Sequence, residues 1–143
     1  LFALFKDINF IMAEGKLKNI LLVEDDPFLA NIYKKKFLQA GYNIRTAGAV
    51  KPALELIKKE KPDLIMLDIL LIDNLNGYVV LQKVKEDKNL QDIVVVMISN
   101  LSDPREKMKA KDSGADEYII KIEHTPEEVL SIVLDTFKKK FKK

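Results

Sequence analysis

The sequence contains no cysteine and a single histidine. The first absence removes disulfides, thiolate metal sites and thiol nucleophiles, and suits a reducing cytoplasm. The second leaves no credible basis for histidine catalysis. No hydrophobic run is long enough to span a bilayer, which argues against a membrane location. The apolar opening text, LFALFKDINFIM, is broken by Lys6 and Asp7 and has no basic leader, so it makes a poor signal peptide. A charge excess is missing too: 24 Lys and Arg stand against 22 Asp and Glu, and the net charge of +2 gives no general pull toward nucleic acid or an anionic membrane. Low-complexity tracts, linkers and internal repeats are also absent. What remains is a 143-residue chain, 48% apolar, sufficient for one domain with a sizeable core and too short for two.

Within that domain, short β-type runs alternate with longer helical ones. The apolar runs cover residues 20–23, 42–47, 64–67, 93–98 and 118–120, and four of the five are almost continuously apolar, as strands covered on both faces must be. Helical stretches follow at 27–40, 50–60, 77–86, 104–113 and 126–137. Five β–α alternations predict an α/β fold, a parallel sheet with helices on both sides. Asp26-Pro27, Asp103-Pro104 and Thr125-Pro126 each set a capping side chain before a proline at the first helical position, and Thr125 with Glu128 completes a capping box. Gly41 and Gly114 fall where two helices must end. On this reading residues 1–17 are an extension outside the domain, 18–137 the domain, and 138–143 a basic C-terminal tail.

In an open parallel sheet ligands gather at the carboxyl ends of the strands. There the runs deliver Glu24 and Asp25, then Asp68, Ser99 and Lys121, while the weak second run supplies only Thr46 and Ala47 and suits an edge. Three carboxylates close together raise one another's pKa unless a cation joins them, and an all-oxygen set favours Mg2+. Magnesium, a lysine and a hydroxyl together equip the rim to hold a phosphoryl group. A carboxylate can itself carry that group as an acyl phosphate, and Asp68, alone at the end of the central run, is the natural nucleophile.

The text ILLVEDDP at 20–27, PDLIMLD at 62–68, IVVVMIS at 93–99 and GADEYIIK at 114–121 resembles the receiver domain of response regulators, the phosphoacceptor half of two-component signalling. The resemblance implies a flavodoxin-like (βα)5 three-layer sandwich with strand order 2-1-3-4-5. It implies that Glu24, Asp25, Asp68 and the Leu70 carbonyl hold Mg2+, and that Asp68 is the phosphorylation site. Ser99 is then the switch hydroxyl, Lys121 the phosphate-binding lysine and Tyr118 the switch aromatic, which turns inward on phosphorylation. It also implies a cytoplasmic phosphorelay protein charged by a histidine kinase or phosphotransfer protein. A downstream protein would read its fourth helix, fifth strand and fifth helix.

The sequence departs from the family pattern in three places. Ile72 replaces a proline in the loop after Asp68, which is one residue longer than usual. Ile122 replaces the proline after Lys121, a change that predicts a trans or rearranged link there. Asn100 replaces the usual alanine after Ser99 and is expected to narrow access to the phosphoryl group. Leu70 leaves no polar side chain to orient a hydrolytic water, predicting a long-lived phosphoryl group.

Three other classes compete with this reading. An aspartyl phosphatase would need a second acid where Leu70 stands. A nucleotide or flavin module would need a glycine-rich loop where acidic EDDP stands. A phosphorylation-independent interaction domain is favoured by Ile72 and Ile122, but opposed by the intact set of Glu24, Asp25, Asp68, Ser99 and Lys121. Among neighbouring residues, Asp26 is expected to cap a helix, and Asp73 and His124 to be solvated loop residues. The terminal lysines complement a helix dipole. With nothing after them, the expectation is a stand-alone receiver with no DNA-binding domain.

Overall fold

The computed structural model describes residues 17–71 and 76–140. The expectations for residues 1–16, Ile72, Asp73 and residues 141–143 lie outside the described residues. In chain order the elements are β1 (Asn19–Val23), α1 (Pro27–Gln39), β2 (Asn43–Ala47), α2 (Val50–Lys59), β3 (Leu64–Asp68), α3 (Gly77–Glu86), β4 (Val94–Ser99), α4 (Pro104–Asp112), β5 (Glu117–Ile120) and α5 (Pro126–Lys140). A single 3-10 turn, Lys121–Glu123, links β5 to α5. All four strand pairs are parallel, in the order β2-β1-β3-β4-β5, which is the (βα)5 topology implied by the resemblance.

Alternation along the strands divides the core in two. Leu21, Val23, Ile65, Leu67, Val95 and Met97 face α2, α3 and α4, where Ala53, Ile57, Val80, Leu81 and Ala110 meet them. Ile20, Leu22, Leu64, Met66, Val94 and Val96 face α1 and α5, against Tyr33, Phe37, Val129 and Val133. Every residue of β3 and β4 is buried, so their apolar runs need no polar alternation. Each large aliphatic side chain enclosed this way contributes about 1.5–3 kcal/mol, far more than an exposed ion pair. Leu17 joins the second cluster at 3% exposure, so packing begins just ahead of β1.

Helix entries form as their capping residues require. Asp26 accepts from the Phe28 and Leu29 amides at 2.9 and 3.3 Å, and Asp103 from Arg105 at 2.9 Å. Thr125 and Glu128 exchange reciprocal bonds of 3.0 and 3.2 Å. Gly41 and Gly114 take φ of 93° and 100° beyond α1 and α4, where a left-handed residue is needed. The last helix continues past Phe137 to Lys140, whose Nζ lies 3.2 Å from Asp116 Oδ1.

At the amino ends of the strands two aspartates join the sheet. Asp63, just before β3, accepts from the Lys18 and Asn19 amides through Oδ2, both at 2.9 Å. Asp116, just before β5, accepts from the Val95 amide at 2.9 Å. Each ties its own strand to a neighbour by filling amide groups that the strand ladder leaves open.

Candidate functional site

At the opposite ends, the loop after β1 supplies Glu24 and Asp25, β3 ends on Asp68, β4 ends on Ser99, and β5 is followed directly by Lys121. The parallel sheet brings all five to one rim. Lys121 Nζ lies 2.5 Å from Glu24 Oε1 and 2.6 Å from Asp68 Oδ2, bridging positions 97 and 53 residues away in the chain. Glu24 is 3% and Asp68 5% exposed, so this ion triad is largely withdrawn from water. Burial works against the Lys121 charge, but the hydrogen bonds and charges of Asp68 and Glu24 outweigh it and hold its pKa above the ordinary lysine value.

One ammonium does not balance three carboxylates. Glu24, Asp25 and Asp68 can each offer an oxygen such that all three lie within 4.8 Å of one another. Desolvation raises the Asp25 pKa, and its hydrogen bond to Glu24 and the Glu24 charge raise it further. Uncompensated negative charge and a hard oxygen donor set are what a divalent cation such as Mg2+ fits. A cleft beside Asp25, lined by Asn31, Lys34 and Thr46, opens this side to solvent.

Gly77 explains how the loop after Asp68 turns back into α3. A Cβ built there would lie 2.1 Å from the Asp68 carbonyl oxygen, so only glycine allows the helix to start against the strand end. Its amide donates to the Ile69 carbonyl at 2.8 Å, and Leu70 and Asn76 form an antiparallel bridge that closes the loop at its base. The bridging bond thus goes to Ile69 rather than to the Leu70 carbonyl. The Leu70 side chain is 60% exposed, and its amide faces Asp68 Oδ1 at 3.4 Å.

Ser99 and Tyr118 interact directly and also meet through one residue. Ser99 Oγ accepts from the Leu101 amide at 3.2 Å, and the Tyr118 hydroxyl donates to the Leu101 carbonyl at 2.7 Å. Tyr118 is buried, which raises its pKa, so it already occupies an inward position.

The departures at Asn100 and Ile122 turn out to be neighbours. The Lys121–Ile122 link is trans, since no peptide bond among the described residues is cis, and the Ile122 amide donates to Asn100 Oδ1 at 3.1 Å. His124 is half-buried rather than solvated, with Nδ1 3.8 Å from Glu128 Oε2. Sequence reasoning missed Tyr33 of α1. It is 2% exposed, burial raises its pKa, and it lies within electrostatic reach of Lys121, Glu24 and Asp68. A tyrosine on the apolar face of a helix carries no signal that separates it from ordinary core.

A family model described as the response regulator receiver domain matches residues 20–133. The DNA-binding dual master transcriptional regulator RpaA of Synechocystis is 33% identical over 105 residues, covering 73% of this chain and 43% of that protein. The probable transcriptional regulator ycf27 of Guillardia theta is 31% identical over 104 residues, 73% of this chain and 39% of its own length. Among solved structures, the signal receiver domain of a signal transduction histidine kinase from Syntrophus aciditrophicus aligns with TM-score 0.76 at 28% identity, covering 88% of this chain and 94% of that one. The chain spans about two-fifths of the length of the two regulators it matches. These relatives overturn the expectation of a receiver with no DNA-binding domain. One is by name a DNA-binding regulator and more than half of it lies beyond the match, so the ending at Lys143 is no ground for excluding such a domain. Among the described residues, no helix is long and apolar enough to cross a membrane.

Proposed function

The chain belongs to the response regulator receiver domain family and serves phosphorelay signalling, and from that premise we propose that Asp68 is its phosphoacceptor. The observation that carries this reading is the ion triad: a buried lysine from the end of β5 held on Asp68 and Glu24. A carboxylate with a cation 2.6 Å away sits where an arriving phosphoryl oxygen would also find that cation.

In the transfer, an Asp68 carboxylate oxygen bonds to phosphorus as the P–N bond to the donor's phosphohistidine breaks, and that imidazole nitrogen keeps the electron pair. Lys121 exchanges part of its contact with Asp68 for the phosphoryl oxygens, and Ser99 Oγ donates its proton to another while still accepting from Leu101. Glu24, Asp25, Asp68 and the Leu70 carbonyl would hold Mg2+, which when bound neutralises charge on the phosphoryl oxygens. Self-catalysed charging from a small phosphodonor and a cytoplasmic location belong to the same reading.

The output follows from the relatives. RpaA is named as a DNA-binding regulator, and control of transcription is the output we assign to the whole protein. A phosphorylation-independent interaction domain is not favoured: its loops depart from the family, but the acidic residues, Ser99 and Lys121 stand together.

The test is intact-mass spectrometry after incubation with Mg2+ and acetyl phosphate, beside Asp68→Ala. A phosphoryl-sized gain in the wild type alone supports the reading. No gain in a folded wild type, or an equal gain in the variant, would sink it.

A further inference from the structure

We propose that Asn100 is a positioning residue for Lys121: its side chain holds the turn after β5 so that the ammonium reaches Asp68 and Glu24. The inference deepens the phosphoacceptor reading and rests on it.

Apart from the Lys121 ammonium on Glu24 and Asp68, the 3-10 turn Lys121–Glu123 has few anchors among the described residues. Ile122 is 79% exposed, so its side chain does not secure the turn by packing. The backbone bond closing it, from the His124 amide to the Lys121 carbonyl, is long at 3.4 Å. The firm contact is the one from the Ile122 amide to Asn100 Oδ1 at 3.1 Å. That amide exists because residue 122 is isoleucine, where the family pattern has a proline without an N–H. Its acceptor exists because residue 100 is asparagine where the pattern has alanine. The two departures therefore compensate each other. An alanine at 100 would leave the amide without this partner, and a proline at 122 would leave the asparagine without this donor.

The geometry also fixes what the tether acts on. Asn100 follows Ser99, whose Oγ accepts from the Leu101 amide at the end of β4, and Ile122 follows Lys121, whose Nζ holds both buried carboxylates. One side-chain to backbone bond thus joins the peptide beyond the hydroxyl to the peptide beyond the ammonium. Ser99 and Lys121 are also kept in register by the β4–β5 ladder, whose last pair is Ser99 with Ile120, and by the Tyr118 hydroxyl on the Leu101 carbonyl.

The experiment compares the wild type with Asn100→Ala, which deletes the acceptor, and Asn100→Asp, which keeps an oxygen there. Amide hydrogen exchange at Ile122 reads the tether, and the NMR signal of the Lys121 ammonium reads its placement. The limiting rate of phosphorylation by acetyl phosphate in saturating Mg2+ reads the consequence. In Asn100→Ala, Ile122 exchange rises about three- to ten-fold, as the loss of one modest hydrogen bond dictates. The Lys121 ammonium signal broadens away, and the limiting rate falls about five-fold with the half-saturating acetyl phosphate unchanged. Asn100→Asp recovers exchange protection, ammonium signal and limiting rate, its added charge raising only the half-saturating phosphodonor concentration. An Asn100→Ala protein that keeps the Lys121 signal and the limiting rate overturns the proposal, as does an Asn100→Asp protein that behaves like it. If the wild type takes up no phosphoryl group, the functional reading fails separately. The Ile122 exchange and the Lys121 signal then still decide for or against the tether.

Discussion

The two ends of this sheet use the same residue type for opposite purposes. At the amino ends, Asp63 and Asp116 meet backbone amides that have no strand partner, and Asp116 also pairs with the Lys140 ammonium. At the carboxyl ends, Glu24, Asp25 and Asp68 crowd around one ammonium, and burial sets Asp25 above its ordinary pKa. The first arrangement adds stability and leaves no charge for chemistry. The second holds negative charge that only a further cation can balance, and gives up stability to do so. Position at a strand end, rather than residue identity, separates the structural aspartates from those of the proposed phosphoacceptor site.

The severest way to break this contrast is Lys121→Ala. It leaves buried carboxylates without their counter-charge, and unfolding in urea with a chelator present is expected to show a loss of about 3 kcal/mol, the lower end of the range for breaking a buried pair. Millimolar Mg2+ should restore much of that loss, as a ligand of the native state must. A variant no less stable than wild type in the chelator would erase the distinction between the two ends. Gly77→Ala comes next. A Cβ 2.1 Å from the Asp68 carbonyl oxygen forces strand and helix apart, costing about 2 kcal/mol and slowing phosphorylation together. Asp63→Ala should remove about 1–2 kcal/mol by leaving two amides unpaired, while phosphorylation proceeds at the wild-type rate. A slowed rate there would mean that the amino end also tunes the chemistry.

The smallest effect sharpens the contrast most. The folded-state pKa of Asp25 is raised above its ordinary value of 3.8, so its penalty is absent below that value and present in full once pH exceeds the folded pKa. Asp25→Asn should therefore stabilise the metal-free protein at neutral pH by about 0.5 kcal/mol, a value kept low because the group is partly open to water. The gain should vanish in acid, and the variant's melting temperature should rise less with Mg2+ than that of the wild type. A loss of metal-free stability at neutral pH would place Asp25 with Asp63 and Asp116.

Much of this contrast can be read along the chain. Continuous apolar runs that end in Asp68 and Ser99 announce buried parallel strands with a polar rim, and the Asp-Pro pairs place two helix entries to the residue. The amino-end stitches were not legible, since Asp63 and Asp116 look like any loop aspartate until the sheet sets amides in front of them. Nor was the full length of α5: Lys138 to Lys140 read as a tail, yet the helix continues to Lys140, which pairs with Asp116 at the far end of the sheet. Asn100 and Ile122, 22 positions apart, each read as a departure. Only the strand ends reveal them as one contact.

Leu101 gives the rim a mechanical property. Its amide belongs to the peptide plane shared with Asn100 and its carbonyl to the next plane, and the only joint between them is the Leu101 Cα. Ser99 grips one plane and Tyr118 the other. Through Leu101, a pull on the serine reaches the tyrosine by rotating this joint, alongside the direct interaction of the two hydroxyls. The stroke of the linkage is then set by two torsion angles of a single residue.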